Sequence, residues 1–136
     1  MISGTRFIFA PRGVREAIDR AAKKNRRLLL QDFDLGEIID ELRDGRAFVL
    51  EHPNGIVVIE LRISDNRTEL FVRLAAGFRP GAFVSAEAEM ISIAQDMGAS
   101  VLSFIPARRG WERLLGPEWS KHGERFERLI PSGQKS

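Results

Sequence analysis

Residues 68–105, TELFVRLAAGFRPGAFVSAEAEMISIAQDMGASVLSFI, decide how this chain is read. From Thr68 to Ala75 the residues alternate. Leu70, Val72 and Leu74 share one face and Glu69, Phe71 and Arg73 the other, the period-2 pattern of a strand with at least one face in a core. From Ala82 to Met97 the spacing becomes helical, with Phe83, Ala86, Met90, Ile93, Ala94 and Met97 inward and Ser85, Glu89, Ser92 and Asp96 as the wet stripe. Gly98 closes that helix, and Ser100 to Ile105 is a short apolar strand. Strand, helix and strand in this order predict a right-handed crossover between parallel neighbours.

Upstream the pattern is a meander. Ala47 to Glu51 is strand-like, Pro53, Asn54 and Gly55 form a turn, Ile56 to Ile63 is β-branched and apolar, and Asp65 and Asn66 turn into the strand already described. Before it, Asp34 followed by Glu37 is a capping box: the first carboxylate accepts an orphan backbone N–H and the second reaches back. Ile38, Ile39 and Leu42 then form an apolar stripe, and Gly45 ends a helix over residues 35–44. Thr5 to Phe9 reads as a short strand, and Val14, Ala17, Ile18, Ala21 and Ala22 as the inner face of a helix entered at Pro11. Downstream, Pro106 to Leu115 reads as a short helix broken by Gly116 and Pro117, and Arg125 to Ile130 as a last strand. The expectation is an α/β (α+β) domain over residues 1–130, with a mixed, mostly antiparallel sheet and helices on both faces. Residues 131–136 form a flexible polar tail.

With 136 residues, 43% of them apolar and 29% charged, the chain has ordinary globular composition and can bury a core without staples. It has no cysteine, which excludes disulfides, thiolate nucleophiles and cysteine-bound zinc and fits an intracellular or virion setting. The apolar patch Phe7 to Phe9 is far too short for an export signal, and no run reaches the roughly 18 apolar residues of a membrane span, so neither export nor a membrane is expected. A net charge of +2 does not predict nucleic acid. The basic runs Lys23, Lys24, Arg26, Arg27 and Arg108, Arg109, Arg113 read first as solvated helix faces or ends. His52 and His122 fall in expected surface loops and lack the spacing of a helical metal pair. Arg108, Arg109, Trp111 and Trp119 form a candidate partner-binding patch, for another protein or for self-association, since Arg and Trp are enriched in hot spots. Trp111 and Leu115, four apart, would equally pack on the sheet.

The element order resembles the GNAT N-acetyltransferase fold across nearly the whole chain. Closer likeness lies in residues 39–50 (IDELRDGRAFVL), 69–77 (ELFVRLAAG), 94–101 (AQDMGASV) and 107–116 (ARRGWERLLG), which together are similar to short GNAT-like proteins of short-tailed phages and prophages, some related to internal virion proteins. In working GNAT proteins the strand before the central helix splays from its parallel neighbour and admits the pantetheine arm of acetyl-CoA. The turn into that helix closes backbone N–H groups around the pyrophosphate. By resemblance the cofactor would meet Leu74, Ala75, Ala76, Gly77, Arg79, Gly81 and Ala82. The family's spacing of Arg or Gln and small residues is not kept here, and Pro80 removes one donor. The family's transfer uses a carboxylate or water chain as base and often a Tyr as acid. The chain has no Tyr, and Glu69 and Glu60 are the candidate bases, with solvated or cross-strand roles as the alternative. The resemblance therefore implies a non-catalytic or degenerate acetyltransferase-like module, a virion or assembly component in the host cytoplasm or the phage particle. The alternative is an acetyl-CoA dependent N-acetyltransferase.

Overall fold

The computed structural model describes residues 8–9, 13, 16, 34–53, 55–76, 86–106, 113 and 115–131. Among them are seven strands and two helices: β1 (Ile8–Phe9), α1 (Leu35–Arg43), β2 (Ala47–His52), β3 (Gly55–Ser64), β4 (Arg67–Ala76), α2 (Glu87–Asp96), β5 (Val101–Phe104), β6 (Trp119–His122) and β7 (Arg125–Leu129). The strands form one mixed sheet in the order β1-β2-β3-β4-β5-β7-β6. Every neighbouring pair is antiparallel except β4 with β5, which is parallel. The α+β class and the mostly antiparallel sheet are as the sequence predicts. The expected helix over residues 14–24 and most of that over 106–115 lie outside the described residues, as does the tail beyond Pro131. No helix of the described residues is long and apolar enough to cross a membrane.

Both helices end the same way. At α1, Gly45 adopts φ 75° and donates to the Leu42 carbonyl at 3.2 Å, while Arg46 N–H donates to Glu41 O at 2.8 Å. At α2, Gly98 at φ 75° donates to Gln95 O at 3.1 Å and Ala99 to Ala94 O at 2.8 Å. These are Schellman motifs, in which a left-handed glycine turns the chain so that the last carbonyls find donors. At the start of α1, Asp34 Oδ1 accepts Glu37 N–H at 3.2 Å, as expected of the cap. The reciprocal half of the expected box gives way to an ion pair: Glu37 Oε1 takes Arg73 at 3.0 Å, a cation on β4 being a stronger partner than one more peptide dipole.

The main core lies between α2 and the sheet. Met90, Ala94 and Ala86 meet Leu50, Val57, Ile59, Leu70, Val72, Ala75, Leu102, Phe104 and Phe126. Each large side chain fully withdrawn from water there contributes roughly 1.5–3 kcal/mol. Of the inward residues the spacing predicts, Ala86, Met90 and Ala94 are buried and Ile93 and Met97 half-buried, Ile91 packs against the same core without having been predicted, and Phe83 lies outside the described residues.

Three expectations need correction. The alternation of β4 does not run through Leu74. Val58 pairs with Leu74 and Ile59 with Val72, so Arg73 is the extra residue of a β-bulge. Beyond it the faces exchange: Ala75 joins Leu70 and Val72 in the core beside α2, and Leu74 is buried outside that cluster. His52, expected on a surface loop, ends β2 opposite Gly55 and is 7% exposed. His122, also expected in a loop, ends the unexpected strand β6, paired to β7 through the tight turn at Gly123, whose φ is 67°.

Candidate functional site

The parallel ladder between β4 and β5 is four residues long, from Glu69 opposite Val101 to Val72 opposite Phe104. β4 then continues opposite β3 through Leu74 and Ala75 to Ala76, beyond the last described pair of the parallel ladder. The ladder of the two parallel strands thus ends at Val72, and the bulge at Arg73 sits just beyond that end. Arg73 is held there by Glu37 at 3.0 Å and Glu41 at 3.3 Å, so α1 is tied by charge to the bulge. Of the positions implied for a cofactor, Leu74, Ala75 and Ala76 lie consecutively on this stretch, with Leu74 and Ala75 buried. Gly77, Arg79, Gly81 and Ala82 lie outside the described residues.

The candidate base Glu69 lies at the other end of β4, three residues before the ladder stops, or about 10 Å at the rise of a strand. It is not an exposed carboxylate: it is 6% exposed and held on several sides. The fully buried Ser103 hydroxyl, carried by β5, donates to its Oε2, and Arg125 of β7 donates to the same oxygen at 2.6 Å. Arg67 stands 3.8 Å from Oε1. The register explains the meeting, since Ser103 pairs with Phe71 on one side and Glu127 on the other, which puts Glu69, Ser103, Arg125 and Glu127 on one face. Glu127 completes the group, taking Arg67 at 2.8 Å and Arg125 at 3.3 Å, with His122 Nε2 at 3.9 Å. The Arg67 hydrogen bond, more than its own charge or those of His122 and Arg125, holds the Glu127 carboxyl below the usual carboxylate range against the opposing effect of burial. The same bond raises the Arg67 guanidinium.

Glu60 sits on β3 opposite Phe71 and pairs with Arg62 at 3.1 Å, while the Arg62 guanidinium lies 3.8 Å from the Phe71 ring centroid. Both candidate bases therefore share a charged, half-dry face in which each has a cation of its own. Sequence reasoning missed Ser103, Arg125, Glu127 and Arg67. The signal available was the alternation of charge in Arg67-x-Glu69 and Arg125-x-Glu127, two strand segments that put opposite charges on one face.

The proposed partner patch is not brought together by the described residues. Arg108, Arg109 and Trp111 lie outside them, and Arg113 is exposed. Trp119 is engaged internally: its indole N–H donates to Glu87 at 2.8 Å and its ring meets Phe104 edge-on at 5.3 Å. Arg128 reaches the same Glu87 carboxylate at 2.6 Å, closing the first turn of α2 with a negative charge where the helix end favours one.

No family model matches this chain, and no curated protein matches it. Among solved structures it is similar to TTHA1254 from Thermus thermophilus, crystallised as a point mutant, with a TM-score of 0.53 and 21% identity over 82% of this chain and 91% of that one. At that identity the likeness is one of fold.

Proposed function

We propose that this chain is a GNAT-like module that works by binding another protein and not by transferring an acyl group. In the setting implied by its likeness to phage-encoded proteins, it is a component of a virion or of its assembly. The observation that carries the reading is the state of Glu69. A general base needs a free lone pair within reach of the amine it deprotonates. Glu69 instead spends its carboxylate on Ser103 and Arg125, and Glu60 is held by Arg62.

The end of the β4–β5 ladder at Val72 and Phe104, with β4 running on to Ala76, supports the GNAT-like assignment. It also keeps the second reading, an acetyl-CoA dependent N-acetyltransferase, in contention. Calorimetric and thermal-shift titration with acetyl-CoA, followed by thiol release from acetyl-CoA over a panel of amines, separates the two. A ligand at a hundred times its dissociation constant stabilises the fold by about 2.7 kcal/mol. Absence of amine-dependent thiol release is the expected result. Release that disappears in Glu69→Gln would overturn the binding-only reading.

A further inference from the structure

β3 is ten residues long and β2 only six, and their register stops at Ala47 opposite Glu60. β2 cannot start sooner, because the Schellman turn commits the Arg46 N–H to Glu41 O and leads the chain away into α1. The end of β3 therefore outruns its neighbour. Which backbone groups look into the vacated lane follows from the hairpins. His52 and Gly55 close one with two residues between them, so they form a narrow pair that exchanges both backbone bonds. By alternation the same holds for Leu50 with Val57 and Phe48 with Ile59, and the next groups pointing that way belong to Leu61 and Ile63. Ser64 and Arg67 close the opposite hairpin, which turns the backbone groups of Ser64, Arg62 and Glu60 towards β4 and gives the same answer. An open pocket of about 530 Å³ lies at this rim, lined by Gly45, Arg46, Phe48, Glu60, Leu61, Arg62 and Ile63. Ile63 is 75% exposed there, one of two large apolar side chains so placed among the described residues.

We infer that the rim of β3 at Leu61–Ile63 receives an extended segment of a partner protein as an added strand, with an acidic residue flanked by two apolar ones. The donors and acceptors of Leu61 and Ile63 specify an extended backbone. Residues opposite Leu61 and Ile63 lie on the face of those side chains and of Phe48, which selects apolar partners. The residue between them stands opposite Arg62 on the other face; Arg62 shares Glu60 and Arg46 shares Asp44, each at 3.1 Å, so the cross-strand position of Arg62 is what selects an acid there. The same geometry disfavours a second copy of this chain: antiparallel self-pairing of Leu61 with Ile63 would set Arg62 directly against its twin. The inference does not depend on whether acetyl-CoA binds.

Fluorescence anisotropy with fluorescein-labelled Gly-Thr-Ile-Glu-Ile-Thr-Gly tests it, with the same peptide carrying Lys for Glu and a third N-methylated at both Ile residues as controls. The acidic peptide is expected to bind saturably, the Lys peptide about tenfold more weakly, and the N-methylated one not at all. Arg62→Glu should reverse the preference between the charged peptides. Ile63→Pro should abolish binding while leaving the melting temperature near that of the parent, since the lost N–H points away from β4. Equal binding of all three peptides, no saturable binding, or retention of binding by folded Ile63→Pro would overturn the inference. So would a dimer in sedimentation that Ile63→Pro dissolves, because the occupant would then be this chain itself.

Discussion

Replacing Glu69 by glutamine removes one charge from a side chain 6% exposed while keeping its volume, so the change isolates electrostatics from packing. In the parent, Glu69 Oε2 accepts from the buried Ser103 hydroxyl and from Arg125 at 2.6 Å. Breaking a buried pair by removing one partner costs about 3–5 kcal/mol, most of it from the charge left behind. Arg125 is not left fully stranded: it is one-quarter exposed and retains Glu127 at 3.3 Å. The cost of Glu69→Gln should therefore fall to about 2–3 kcal/mol. For a domain of this size that corresponds to a drop in Tm of roughly 6–12 °C. Urea unfolding followed by tryptophan fluorescence at pH 7 gives the free energy directly. Combining the change with Arg125→Met should give a non-additive cycle, with coupling of about 1–3 kcal/mol. Stability of Glu69→Gln within about 0.5 kcal/mol of the parent would refute the claim that this carboxylate is structural, and with it the argument that it is withheld from catalysis.

Two further perturbations test the frame around it. Because Glu127 titrates lower when folded than its unfolded value of about 4.3, its contribution is fully present above that pH and is lost as pH falls through the depressed folded value; Glu127→Gln should flatten this acid limb in urea midpoints, and parallel curves would contradict the pairing. Gly98→Ala adds a Cβ that meets nothing within 4 Å, so its expected cost of about 1–2 kcal/mol is purely that of holding alanine at φ 75°, measurable as a lowered Tm.

The meander and the α2 crossover were legible because their signals are local: β-branched runs, Asp65-Asn66 between strands, and helical spacing ended by Gly98. The bulge at Arg73 was not, since Arg-Leu-Ala-Ala continues the alternation without a break in composition; what places the extra residue is pairing with β3 and the pull of Glu37 and Glu41 from a distant helix. Strand β6 was hidden for another reason. Trp-Ser-Lys-His carries one apolar residue on an edge strand whose other three are exposed, so only pairing with β7 defines it. The candidate bases were legible as strand carboxylates but not as occupied ones, because Arg125 and Ser103 lie 56 and 34 residues away in sequence from the Glu69 they hold.

Among the described residues, the two overhangs of the β3–β4 hairpin arise from one mismatch of strand lengths. β3 and β4 are joined by a hairpin and each runs ten residues, whereas their outer neighbours are curtailed by local chemistry. β2 starts late because the α1 cap consumes the Arg46 N–H, and β5 ends at Phe104 just ahead of Pro106, which has no N–H to give a ladder. The long hairpin consequently projects past β2 at its turn, where Ile63 is exposed, and past β5 at its open end, where Leu74 to Ala76 follow the bulge. Thr68, opposite Ile63, and Arg73 are five residues apart, about 17 Å of strand, and the Glu69 ion network fills the interval on one face. An occupant of one overhang would not touch an occupant of the other. The rim at Leu61–Ile63 and the stretch of β4 beyond the bulge can therefore be perturbed separately.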